Sequence, residues 1–215
     1  MDAHPDVSLR STSVAFRQPD AQAQLLIAEL NERCLDLLVL VARTGPPTSG
    51  FTLAMHLRPL LRSTRPAVRR RAAEVGLPLI DMEFRNSEWW QALKSDSSSC
   101  SRQHLRPDLP KRAMVQLTRA TLILCWHSVH ADLECARVLF GMSRAVTEIV
   151  GSLRLSDIEQ IAERQFRRVR PRWDDRPWLW RELLSAAESN DQLSWRAFHV
   201  HALQVLAGEN LPKQA

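Results

Sequence analysis

The sequence predicts an all-α fold built as two related helical units in tandem forming a pseudo-dimer, with at most short extended segments near 77–84 and 167–173. Apolar residues recur at helical spacing through nearly the whole chain. One polar, serine- and proline-bearing stretch separates two halves of similar size. A faint internal echo links those halves: Ala73-Glu74 through Phe84 returns as Ala162-Glu163 through Trp173. Apolar residues match at Leu77/Phe166 and Ile80/Val169, and an aromatic closes each copy. Gly50-Phe51-Thr52 and Gly141-Met142-Ser143 precede the copies, and tryptophan-bearing helices follow them (Trp89, Trp90; Trp178, Trp180). Such an echo reads as duplication and fusion of one unit.

The elements follow in order. Residues 1–19 are polar and aperiodic and read as a mobile arm, ahead of a first, divergent unit over 20–94. Gln22 to Arg43 places apolar residues at 26, 27, 30, 34, 37, 38 and 41, one buried helix face. Gly45-Pro46-Pro47 breaks it. Leu53 to Leu61, interrupted near Pro59, and Ala67 to Val75, stopped by Gly76, are short helices. Ser87 is the expected cap of a helix carrying Trp89, Trp90 and Leu93. Residues 95–110 read as the linker and 111–208 as the second unit, with a tail over 209–215. A single long helix is expected from Lys111 to Phe140, with Leu122 to Trp126 apolar all round and therefore buried on more than one side. Gly141 ends it. Ser143 and Ser156 are the expected caps of the next two helices, the latter with Glu159 at capping-box spacing. Pro177 opens a further helix, and a last one runs from Gln192 until Gly208 stops it.

Composition narrows the function. The chain has 215 residues, 45% of them hydrophobic and 25% charged, ordinary for a globular protein. No apolar run reaches the roughly 20 residues of a membrane span, and no signal sequence opens the chain, so no membrane partner is expected. The four cysteines, at 34, 100, 125 and 135, form no disulfide framework and suit a cytoplasmic protein. Net charge is +5, carried almost entirely by arginine in two clusters. One comprises Arg58, Arg62, Arg65, Arg69, Arg70 and Arg71; the other Arg164, Arg167, Arg168, Arg170, Arg172 and Arg176. Basic clusters on related units suit phosphate contact, and a solvated helix face is the plain alternative.

The stretch from Leu122 to Asp174 resembles FlhD, the small helical subunit of the bacterial flagellar master activator. The likeness rests on the corner Phe140-Gly141-Met142 with Ala136 ahead of it. It continues through Leu153-Arg154-Leu155, Ile158, Ile161-Ala162-Glu163 and Arg172-Trp173-Asp174. The first half shares it more faintly through Gly50, Ala73-Glu74 and Phe84, and Pro171 departs from an expected aromatic. The resemblance implies a transcription activator subunit that forms helical dimers and works with an FlhC-like partner, and RNA polymerase is a further partner of such a complex. The candidate DNA contacts are then Arg65, Arg69, Arg70, Arg71, Arg144, Arg164, Arg167, Arg168, Arg170 and Arg172. Candidate partner anchors are Trp126, Trp173, Trp178 and Trp180, because interface hot spots favour Trp and Arg. Homo- or hetero-oligomers are both compatible. The alternative function is a helical protein-interaction adaptor without direct DNA binding.

Other chemistries fare worse. The corner Arg137 to Val146 resembles the turn of a helix-turn-helix, which would aim Ser143, Arg144 and Thr147 at a groove. A small residue belongs four positions before the turn glycine, and Arg137 stands there. Cys125, His127, His130, Asp132 and Cys135 have zinc-ligating side chains, but on one helix Cys125 and Asp132 point nearly opposite ways, so no metal is expected. His199 and His201 read as structural. No nucleophile, phosphate-loop or dinucleotide motif is present, so neither catalytic residues nor a cofactor are expected.

Overall fold

The computed structural model describes residues 20–44, 52–95, 111–189 and 191–210. The N-terminal arm, the Gly45-Pro46-Pro47 break, Gly50, nearly all of the linker and the end of the tail lie outside them. The fold is all-α, with eleven helices and one two-stranded ladder among the described residues. The first half holds α1 (Ala21–Thr44), α2 (Thr52–His56), α3 (Arg58–Ser63), α4 (Pro66–Ala73), β1 (Ile80–Asp81) and α5 (Ser87–Ser95). The second holds α6 (Lys111–Ala131), α7 (Leu133–Phe140), α8 (Arg144–Gly151), α9 (Leu155–Gln165), a 3-10 turn (Phe166–Arg168), β2 (Arg170–Pro171), α10 (Pro177–Ser189) and α11 (Gln192–Asn210).

One core serves both halves. The long helices α1 and α6 pack on each other, α4 bridges α1 and α10, and α6 carries α7, α8 and α9. The apolar middles of the two long helices are buried, with Leu35 and Leu38 on α1 and Leu122 and Cys125 on α6 all at 0% exposure. The extended segments fall where expected and find each other. Strands β1 and β2 pair antiparallel, Ile80 opposite Pro171 and Asp81 opposite Arg170.

Landmarks around the ladder repeat at one separation, a residue longer than the echo suggests. Glu83 (φ 51) and Trp173 (φ 57) both adopt the left-handed region, where a tryptophan is strained and needs its surroundings to hold it. Each closes the same turn: the Asn86 amide donates to the Glu83 carbonyl at 2.8 Å, and the Arg176 amide to that of Trp173 at 2.9 Å. Ser87 and Pro177 then open helices, and Trp90 and Trp180 are buried below them.

Several boundaries differ from the sequence expectation, each for a local reason. The long second-half helix is two helices, because Asp132 leaves helical geometry (φ −158) and its carboxylate accepts the Cys135 amide at 2.9 Å. Helix α9 starts before Ser156, at an Arg154 cap whose amide donates to the Asp157 carboxylate at 2.8 Å. Asn86 caps α5 instead of Ser87, accepting the Trp89 amide at 3.1 Å. The Ser87 hydroxyl meets that of Ser143 at 2.7 Å. Gly208 does not stop α11, which continues to Asn210. Gly141 does stop α7, at φ 67, with the Met142 amide closing onto the Arg137 carbonyl at 2.9 Å. Ser143 caps α8 as expected, accepting the Val146 amide at 3.3 Å. No helix among the described residues is long and apolar enough to cross a membrane.

Candidate nucleic-acid interface

The arginine clusters separate by depth. Arg58 and Arg62 cap the C-terminus of α1, both Nε atoms donating to the Ala42 carbonyl at 3.0 Å, where cations also offset the helix dipole. Arg69 donates to Asp36 at 2.7 Å and to the Thr64 carbonyl at 3.1 Å. Arg71 reaches the other half, donating to the Ala187 carbonyl at the end of α10 at 2.8 Å. Arg172 is 4% exposed, its guanidinium donating to the Leu139 carbonyl at 2.6 Å and lying over the Trp173 ring. No phosphate reaches a side chain at that depth, so Arg172 leaves the set of DNA contacts.

Arg170 lies in the ladder and Arg168 in the 3-10 turn just before it. Arg170 pairs with Asp81 at 2.8 Å and Arg168 with Glu83 at 2.7 Å, and Arg168 also lies over the Trp89 ring. The acids come from the first half and the arginines from the second. Asp174 sits beside this group, where burial pushes its carboxyl above the usual range and Arg170 only partly offsets the effect.

Arg65, Arg70, Arg144 and Arg164 are exposed and Arg167 is half-buried. Arg144 forms an i,i+4 pair with Glu148 at 3.2 Å while 86% exposed, a contact of little energetic weight. The fold also brings Arg167 together with residues outside the two clusters. Lys111 and Arg167 both lie against the Phe166 ring, 5.9 Å and 5.2 Å from its centroid. Lys111 and Arg112 open α6, whose first turn has no acidic residue. Free amides and the positive end of the dipole normally attract acids there. A shallow depression beside them is lined by Arg112, Gln116, Arg119 and Glu163, with Arg119 held by Glu159 at 2.6 Å and Lys111 by Glu163 at 3.8 Å. The cue in the sequence was Lys111-Arg112 at a helix start; its proximity to Phe166 depended on the fold.

The tryptophans divide the same way. Trp180 is buried with its indole N–H donating to the Arg172 carbonyl at 2.8 Å, and Trp173 is 5% exposed. Both serve the core. Trp126 is half-buried and donates to the Leu153 carbonyl at 2.9 Å. Trp178 is 48% exposed, its ring meeting His201 edge-on at 6.2 Å, and it is the anchor left available to a partner.

The remaining motifs resolve structurally. In the α7–α8 corner Thr147 is 0% exposed and donates to the Ser143 carbonyl at 2.9 Å, so α8 does not present the face that a helix-turn-helix would aim at a groove. Cys125 is buried and its thiol pushed up, by burial first and by Asp81 second, whereas His127 and His130 are exposed. Among the described residues no three ligating side chains converge on a metal position. His199 bridges the Trp195 and Val75 carbonyls at 2.8 Å and 3.1 Å, and His201 meets Glu182 at 2.7 Å. Comparison with protein-family models, curated proteins and solved structures finds no match.

Proposed function

We propose that the chain is a transcription-regulator subunit of FlhD-like type, in which two helical units of one polypeptide take the places of two protomers. The observation that carries this reading is the antiparallel ladder between the two halves, Ile80 opposite Pro171 and Asp81 opposite Arg170, which is the pairing a two-fold relation at the 90-residue separation of the landmarks requires. The charges support a fixed hetero-pairing: Asp81 and Glu83 meet Arg170 and Arg168, whereas either half paired with itself in this register would set Asp81 against Ile80, or Arg170 against Pro171, and leave the charges without opposite partners. DNA is contacted by the basic rim of Lys111, Arg112, Arg164 and Arg167, with Arg65 and Arg70 on α4 as a second contact. An FlhC-like subunit completes the complex.

Anisotropy titration of the full chain with duplex DNA across a salt series tests this. Affinity should fall steeply with salt, and Lys111→Glu with Arg167→Glu should reduce the logarithmic slope by about one for each phosphate no longer neutralised. Binding that is absent, or indifferent to salt and to both substitutions, rejects DNA contact and favours the protein-interaction adaptor.

A further inference from the structure

Helix α11 has apolar residues on two faces. Phe198, Ala202 and Leu206 face inward and are buried, at 0%, 0% and 3% exposure, where α11 packs on α10. On the opposite face Leu193 is 72%, Val200 52% and Leu203 48% exposed, with Ala197 and Ala207 exposed on the same side. A surface helix ordinarily turns charged residues outward; along this stripe Arg196 is the one charged residue. Leu193, Val200 and Ala207 recur at seven-residue spacing, with Ala197 and Leu203 beside them, which makes a continuous seam.

We infer that this seam is an interface between two copies of the chain, their α11 helices antiparallel about a two-fold axis at Val200. Val200 is the midpoint of the stripe. An antiparallel copy centred there sets Leu193 against Ala207 and Ala197 against Leu203, so each leucine meets an alanine, and Val200 meets its own counterpart on the axis. Arg196 falls against Gln204, a neutral acceptor. A parallel copy would stack Leu193 on Leu193 and Arg196 on Arg196. With Leu193, Val200 and Leu203 each about half exposed or more, complete cover of the stripe by a second copy approaches the roughly 1,000 Å² that a specific interface needs. The shortage of charge argues against an anionic membrane, which interfacial helices meet with several basic residues. The symmetric contact is isologous and closes at two copies.

Sedimentation of the full chain at micromolar concentration tests this. Wild type should run at twice the chain mass, and Val200→Glu at the single-chain mass with unchanged helical content, since residue 200 is outward-facing; its melting temperature should no longer depend on protein concentration. Mild oxidation should link Val200→Cys to itself, with wild type controlling for native thiols. Leu193→Cys should link only when mixed with Ala207→Cys. A wild-type monomer, a Val200→Glu dimer, or a Leu193→Cys that links to itself as readily would each overturn the assignment. Retention of monomeric wild type on anionic vesicles, lost in Val200→Glu, would give the seam to a lipid surface instead.

Discussion

The two halves reach the ladder along similar paths and satisfy their backbones differently. In the first half the segment between α4 and β1 is irregular, and its polar groups depend on Asn31, a buried side chain on α1. The Asn31 amide donates to the Ala73 and Leu77 carbonyls at 3.0 Å and 2.8 Å and accepts from the Leu79 amide at 2.8 Å. In the second half the chain coils into the 3-10 turn Phe166–Arg168, and Thr121 on α6, buried too, only bonds the Leu117 carbonyl of its own helix at 2.8 Å. The same connection is made once by a side-chain bridge and once by local winding. Buried backbone groups must be paired either way.

The sharpest way to break the comparison is at those two positions. Asn31→Leu strands two carbonyls and an amide in the core and should cost about 4 kcal/mol in urea denaturation, while Thr121→Val should cost under about 1 kcal/mol. Equal costs would mean that the first half does not depend on its bridge. The next contrast is Met82 against Arg172, which occupy corresponding places beside the ladder at 0% and 4% exposure. Arg172→Ala leaves a void and an unpaired Leu139 carbonyl and should cost about 3 kcal/mol; Arg172→Met fills the void and should recover at least half of it.

In their thiols the halves agree. Burial pushes Cys34 up from 9.0 to about 12 and raises Cys125 as well. Below pH 9 both states keep these protons. Above it the unfolded chain releases them and the folded one does not, so stability falls as pH rises toward 12. Each thiol adds about 1.4 kcal/mol per pH unit to that slope, and Cys34→Ala should remove one share in denaturation curves at pH 9 and 10. A smaller difference separates the tryptophans. The Trp180 indole N–H has an acceptor, whereas that of Trp90 is buried without one. Trp180→Phe should therefore cost about 1 kcal/mol more than Trp90→Phe. The smallest effect is a gain: Asp174→Asn relieves a partly buried carboxylate and should add under about 0.5 kcal/mol at neutral pH, with solvent screening the rest.

These contrasts show what a linear reading can and cannot reach. Helix faces such as that of α1 were legible because apolar spacing is local, and the stop at Gly141 because left-handed backbone favours glycine; α4 instead ends at Ala73 with Glu74 as its cap, before the left-handed Gly76 that was expected to stop it. The Asp132 break was hidden, since one capping residue inside an apolar period barely disturbs the pattern. Pairing of Asp81 with Arg170 joins two-residue strands far apart in sequence, which no periodicity reports. Depth was equally invisible: Arg172 and Arg167 look alike in a basic run, yet one serves the Leu139 carbonyl and the other lies at the rim beside Lys111. The exposed seam of α11 was hidden for the opposite reason, because apolar residues all round a helix look like ordinary core.

The central claim is that the halves are partners for each other and not for themselves, the charge asymmetry of the ladder setting the choice. Its most direct measurement is complementation between separately produced fragments, residues 20–95 and 111–210, followed by sedimentation and tryptophan fluorescence. The account predicts that mixing yields a one-to-one complex with buried tryptophans, weakened by Asp81→Arg and restored when Arg170→Asp is added. Fragments that each form a stable homodimer and do not exchange on mixing would contradict it.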